Sequence, residues 1–412
     1  MEMCRRTIPG TQFFLSDGYG EGAGVAASDV EIASLASLYA GRTLYQGDMH
    51  GHAKTLGKGD DGSVNLTTWA NSMAGLNLDF AASLDHHQST HFGLTTWDES
   101  KLLYGTEAGT IITDRKDTSL EGKLHYNMIF SSDAGLKAVL NAFSDFTDTS
   151  KMNAGNALTY IANAYEFGYP SFTRARMATL IQTVQDNGGF FVHAHPTQTS
   201  YAASSSLEDY WFADYVGFEV LYINTPLMDD MSDTEKAKYA ANGAYGTAET
   251  TAHYNLWNKL LKAGKRLYAT AGSDTHGELN TYALTSVYSD TAKANADKGE
   301  IINQLRAGDF VAGAVGIKMS IGTQTMGGEI DFDGQRLIVG IGEFHESVVK
   351  SGHKYRVDIL SDNGIVYSQF VTPGQELTLA IDASENSSYY RVEVVDATAG
   401  CRIAIGNPIW NK

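Results

Sequence analysis

Between Leu44 and Phe310, short apolar runs alternate with stretches of helical period, and a histidine or an acidic residue stands at or just past the end of at least four of the runs. Strand alternating with helix argues for a parallel sheet, open or closed. Such sheets, barrels above all, collect their reactive groups at the strand ends. The strand candidates are Leu44-Tyr45-Gln46, Phe80-Ala81-Ala82-Ser83-Leu84, Phe190-Phe191-Val192, Phe218-Glu219-Val220-Leu221-Tyr222-Ile223 and Leu267-Tyr268-Ala269-Thr270-Ala271. Helical faces form from Trp69, Ala70 and Met73, from Leu136, Val139, Leu140 and Phe143, and from Met177, Leu180, Ile181 and Val184. Two more form from Leu256, Trp257, Leu260 and Leu261, and from Ile301, Ile302 and Leu305. Gly188, Gly264 and Gly308 follow three of these faces, where a helix end favours left-handed backbone.

After Gly313 the period changes. Tyr355 to Ile359, Leu377 to Ile381 and Arg391 to Val394 alternate apolar with polar, and Asn363-Gly364 is a hairpin signal, so residues 314–412 read as a small antiparallel β domain without a helix. Residues 1–43 read as a lead-in and residues 44–313 as the α/β domain. A chain of 412 residues exceeds one ordinary core, which agrees with two domains.

The net charge of -18, without clusters of Lys and Arg, argues against nucleic acid and anionic membrane as partners and favours metal cations or a small-molecule substrate. Cys4 and Cys401 stand near opposite ends, so neither a disulfide framework nor a thiolate metal site can be built. No run has the length of a membrane span, and Met1 to Gly10 lack the apolar stretch of a secretory signal. The cytoplasm is the default location; a surface rich in Gly, Tyr, Ser, Thr and Asn and poor in Lys would also suit an exported protein whose signal was trimmed. Oligomeric state is left open.

Six segments and one Gly-rich loop carry the chemistry. His50 and His52 lie two apart on extended backbone and therefore share a face, with Asp48 on the same side. Asp60-Asp61-Gly62 follows on a Gly-rich loop from which a carboxylate can swing back. His86 ends the run from Phe80 to Leu84. Glu107 sits among strand-forming residues, where an unpaired carboxylate is costly and a bridging position between cations would relieve it. His125 opens a strand, a place where a lone histidine is usually structural. His193 and His195 share a face before Pro196 stops the strand, and Asp274 and His276 follow the last run, with Gly272 letting the chain turn. His91, His253, His345 and His353 lack such context and read as solvated.

Histidines with several carboxylates and no thiolate make a hard-to-borderline site with room for more than one divalent ion, suited to Mn, Zn or Fe. Clustered cations acidify a bound water and clamp an anionic oxygen, so metal-assisted hydrolysis is the chemistry to expect. No nucleophile elbow, P-loop or dinucleotide fingerprint competes in suitable strand context.

In order and context these segments resemble the polymerase and histidinol phosphatase (PHP) family of metal-dependent hydrolases, over roughly Leu44 to Phe310. The resemblance implies a distorted (β/α)7 TIM-like barrel holding two or three divalent metals. It implies His50, His52, His86, Glu107, His125, His195, Asp274 and His276 as ligands, with Asp61 as the ninth, Asp60 being the alternative. Leu305-Arg306-Ala307-Gly308 and Gly406-Asn407-Pro408-Ile409 look closer to the carbaryl-hydrolase-like branch, which joins such a barrel to a C-terminal β domain. Asp274, His276 and His193 are the catalytic candidates, with Asp274 or His193 assisting proton transfer. Phosphoester hydrolysis is the leading expectation. Carbamate or aryl ester hydrolysis at the same metals is the alternative, and a non-catalytic, metal-stabilised binding module is the reading from a different class. Arg115 and Lys116 stand near the motifs as possible substrate contacts.

Overall fold

The computed structural model describes residues 25–54, 62–86, 97–119, 122–143, 169–197, 204–222, 247–281, 283–290 and 297–412. It divides into two compact units: residues 41–313 form one, and residues 1–40 with 314–412 form the other. No helix among the described residues is long and apolar enough to cross a membrane.

The stretch read as a lead-in contributes β1 (Val25–Ala26) and α1 (Asp29–Leu38) to the second unit. A capping box starts the helix: Ser28 Oγ accepts from the Glu31 N–H, and the Glu31 carboxylate accepts from the Ser28 N–H at 2.8 Å.

The α/β unit contains β2 (Thr43–Gly51), α2 (Leu66–Ser72), β3 (Phe80–Ser83), β4 (Leu102–Ile112), β5 (Lys123–Phe130), α3 (Asp133–Ala142), β6 (Ser171–Phe172) and α4 (Arg174–Asp186). It continues with β7 (Phe190–Ala194), β8 (Val216–Tyr222), α5 (Thr247–Lys262), β9 (Leu267–Gly272), β10 (Thr285–Ser289), α6 (Lys298–Ala307) and β11 (Phe310–Gly313). Each strand candidate falls on a strand and each helical face on a helix, with Leu84, Met73 and Phe143 just past the element ends, and Gly188, Gly264 and Gly308 have φ of 76°, 77° and 76°. Ile223 lies outside the described residues.

The strands lie in the order β11-β10-β2-β3-β4-β5-β7-β8-β9, with β6 beside β4. The expectation of a parallel sheet is corrected: β2 to β4 and β7 to β9 run parallel, but β5 is antiparallel to both neighbours and β10 to β2 and β11. The cause is connection length. Only residues 113–122 link β4 to β5, and a parallel return needs a crossover of a dozen residues or more. The sheet curls until β9 meets β2 at one rim, where the Asp274 N–H donates to His50 O and the His52 N–H to Thr275 O, each at 2.7 Å.

In the second unit the strands are β12 (Val315–Ile321), β13 (Gln324–Thr325), β14 (Glu329–Ile330), β15 (Arg336–Phe344), β16 (Tyr355–Ser361), β17 (Gly364–Val371), β18 (Leu377–Asp382), β19 (Tyr389–Asp396), β20 (Cys401–Gly406) and β21 (Ile409–Asn411). One small sheet runs β1-β18-β15-β12-β13, with α1 packed on β15 and β12. β16 pairs antiparallel with β17 and β19. The hairpin forms one residue earlier than Asn-Gly would centre it, with Ser361 opposite Gly364 and Gly364 at φ 111°. Residues 314–412 hold strands and one 3-10 turn, Glu346–Val348, and α1 from the N-terminal side joins the same unit.

Candidate metal centre

Asp48-Met49-His50-Gly51 is the buried end of β2, and His52 stands just past it. The parity expected for an extended segment brings both imidazoles to one place, with Nε2 of His50 and of His52 at 3.3 and 3.1 Å from Glu107 Oε2. Both also face Asp274 Oδ1, at 3.4 and 3.0 Å. Asp48 turns elsewhere: its carboxylate accepts the N–H of His50 and both the N–H and hydroxyl of Ser273. It thereby ties β2 to the segment after β9, and burial pushes its carboxyl up to about 6 despite those donors.

Glu107 lies within β4 and is fully buried. His125 Nδ1 and His195 Nε2 approach its Oε1 at 2.6 and 2.8 Å, while His86 Nδ1 stands 3.6 Å from Oε2. His86, just past β3, bridges to Glu107 along the backbone. Three overlapping groups of donor atoms result, each with its atoms within 4.8 Å of one another: His52, His86 and His276; His50, His52, Glu107 and Asp274; and Glu107, His125 and His195. The first group is a stack of imidazoles, with His52 4.7 Å from His86 and 4.5 Å from His276 between ring centroids.

The electrostatics call for positive charge here. Burial would raise the Glu107 carboxyl, but His125, His86 and His50 hold it well below the usual range; burial likewise opposes ionisation of Asp274, which His50 and His52 hold down. Burial would lower His50, yet Glu219, Asp274 and Glu107 raise it well above an ordinary histidine, and His195 is raised against burial by Glu107. His125 goes the other way, pushed by burial to about 4. Buried carboxylates ringed by imidazole nitrogens suit divalent cations of borderline hardness, so the residues present fit a metal site.

Three of the histidines are held by one nitrogen, leaving the other for the cluster, as metal-binding imidazoles usually are. His50 Nδ1 meets Glu219 Oε1 at 3.0 Å, His125 Nε2 meets the Tyr169 hydroxyl at 2.8 Å, and His276 Nδ1 meets the Asp274 main-chain O at 3.0 Å. Glu219, Tyr169 and Tyr222, whose hydroxyl donates to Asp274 Oδ2 at 2.7 Å, are absent from the residues expected at the site. A glutamate inside the apolar run of β8 was the available signal for Glu219; nothing local marks the two tyrosines.

Among the ligands expected, eight gather here and Asp61, with its alternative Asp60, lies outside the described residues. The shared face of His193 and His195 is corrected. His195 has φ 25°, a left-handed value that breaks strand alternation and aims its ring at Glu107. His193 keeps the alternation, and its ring packs against Phe191, Phe212 and Phe218, in none of the donor groups. Burial pushes it down to about 4, which keeps its ring neutral at ordinary pH. Arg115 pairs with Asp209 at 3.6 Å, and Lys116 donates its main-chain N–H to Asp209 at 2.9 Å and pairs its ammonium with Glu208 at 3.6 Å. Of the histidines read as solvated, His91 lies outside the described residues and the other three are not free in solvent. His253 is wholly buried beside Tyr222, His345 caps a turn through Ser347, and His353 pairs with Asp396 at 2.6 Å.

No family model matches the chain, and no curated protein does. Among solved structures it is similar to a provisionally named metal-dependent phosphoesterase from Bifidobacterium adolescentis, at 17% identity and a TM-score of 0.29, covering 56% of this chain and 88% of that one. It is also similar to an amidohydrolase from Chromobacterium violaceum with bound sulfate and no metal, at 16% identity and a TM-score of 0.24, covering 56% and 87%. These likenesses are distant.

Proposed function

We propose that the chain is a metal-dependent hydrolase of the PHP type that cleaves phosphoesters at a centre of two or three divalent ions. In this reading β2 to β5 and β7 to β9 are the seven strands of the distorted barrel. The observation that carries the proposal is Glu107, whose two carboxylate oxygens face different sets of imidazoles: His125 and His195 at Oε1, His50, His52 and His86 at Oε2. A carboxylate so placed can join neighbouring cations. His50, His52, His86, His125, His195, Asp274 and His276 complete the ligand set, with Asp61 the ninth. When bound, the cations supply Lewis acidity, which acidifies water and offsets charge on the substrate oxygens.

The side chains divide the remaining work. Asp274 keeps Oδ2 on Tyr222 and turns Oδ1 into the cluster, where it is assigned the proton transfer. His276 is the entrance, with 25% of its side chain exposed against 0–6% for His50, His52, Glu107 and Asp274. That opening favours an enzyme over a sealed structural metal site, because catalysis needs an accessible coordination position. Phosphoesters are chosen over carbamate and aryl esters on the breadth of the family resembled. The test is metal analysis of the purified protein, followed by a metal-supplemented screen of phosphomonoesters, phosphodiesters, aryl esters and carbamates. More than one Mn, Zn or Fe per chain and phosphoester turnover are expected; turnover of carbamates or aryl esters alone would move the substrate assignment to them, and a metal-free protein that resists loading would refute the hydrolase.

A further inference from the structure

We propose that β8, which contributes to none of the donor groups, orients three of the ligands: Glu219 holds His50 and His195, and Tyr222 holds Asp274. The inference rests on the metal reading above. Glu219 Oε1 lies 3.0 Å from His50 Nδ1, and Glu219 Oε2 accepts the His195 main-chain N–H at 2.7 Å. Two ligands from strands on opposite sides of the sheet order are thus fixed by one carboxylate. The bond to Nδ1 directs Nε2 of His50 to the cluster, and the bond to His195 pins the residue whose left-handed backbone aims its ring. Tyr222 does the same for Asp274, itself at φ 49°.

Two features of the backbone exist for this arrangement. Residues three apart on a regular strand point to opposite faces, so Glu219 and Tyr222 could not both serve one site. β8 carries a bulge: Glu219 pairs with Thr270 and Leu221 with Ala271, so one extra residue is spent between them and the parity is reset. Across from it, residue 272 is glycine. A Cβ there would come within 2.5 Å of the His50 Cβ and 2.6 Å of Glu219 Oε1, so only the bare backbone lets Glu219 reach His50.

Glutamine at 219 would keep the shape but offer one acceptor oxygen and an NH2 group to two N–H donors, leaving one donor facing another. The experiment titrates zinc into the parent, Glu219→Gln and Tyr222→Phe proteins, with circular dichroism of each metal-free form and proton NMR of the zinc-loaded forms. The expected result is native dichroism, zinc binding weaker by about 10–100-fold in Glu219→Gln and about 10-fold in Tyr222→Phe, and loss of the His50 Nδ1–H resonance in Glu219→Gln. A merely structural role would leave that resonance and the affinity unchanged. Should Glu219→Gln fail to fold, Tyr222→Phe, which lacks one hydroxyl, decides alone. A parent that takes up no zinc would overturn the metal reading and this inference together. A parent that binds zinc beside variants that bind it equally well would overturn this inference only.

Discussion

His125 Nδ1 lies 2.6 Å from Glu107 Oε1 although the strands carrying them run in opposite directions. The antiparallel course of β5 puts its first residues beside the last residues of β7, with His125 opposite Ala194. A histidine that opens a strand therefore reaches the same rim as His52, His86, His195 and His276, which follow theirs. Glu107, reached from both sides, is the residue on which the centre depends most.

Glu107→Gln should preserve shape while removing the charge shared by two donor groups. Metal affinity is expected to fall by more than about 100-fold, beyond the loss typical of residues outside the ligand set, and turnover should fall with it. Calorimetric titration and metal analysis of the variant check this.

His52 belongs to two of the three donor groups, whereas His125 belongs to one. His52→Ala should therefore lose more metal per chain than His125→Ala, with both proteins folded. Metal content after dialysis compares them directly, and equal stoichiometry would count against the shared position of His52.

Chelation should abolish activity and lower the melting temperature, because ions that bind only the folded chain stabilise it by mass action. About 2.7 kcal/mol is expected at a hundredfold excess of metal over its dissociation constant. Activity should return with Mn or Zn. Thermal melts with and without chelator, read beside an activity assay, make the comparison.

Truncating His193 to alanine should leave metal content unchanged and cost roughly 2 kcal/mol of stability through the cavity left among Phe191, Phe212 and Phe218. Loss of turnover in a folded, fully metallated variant would instead assign it proton transfer.

Asp209 gives the chain an acid-sensitive tie away from the centre. Burial would raise its carboxyl, but the N–H groups of Lys116 and Asp117, the Ser204 hydroxyl and Arg115 hold it below an ordinary aspartate. A pKa depressed in the folded state means stability that is present above the unfolded value, about 3.9, and is lost as pH falls through the folded one. The gap in melting temperature between parent and Asp209→Asn should thus be constant near neutrality and shrink in acid below about pH 4.

Local sequence determined much of this protein. Apolar runs and helical faces located β2, β3, β7, β8 and β9 and the described helices of the α/β unit, and glycines marked three helix ends, because period and left-handed backbone are properties of neighbouring residues. The donors at strand ends were legible for the same reason, since His50, His52, His86, Asp274 and His276 stand where a strand delivers its last residues. Tertiary structure alone decided the rest. Whether β5 turned back depended on the length of residues 113–122, and that direction gave His125 its role. Parity joined His193 to His195 on paper, and one left-handed φ separated them. A lone glutamate in an apolar run marked Glu219 but not its partners, and nothing local marked Tyr222, because a bulge and a glycine on the facing strand, distant in sequence, bring them to the ligands they hold. Period fixes which way a side chain points only while the backbone stays regular, and this centre is built where the backbone departs from it.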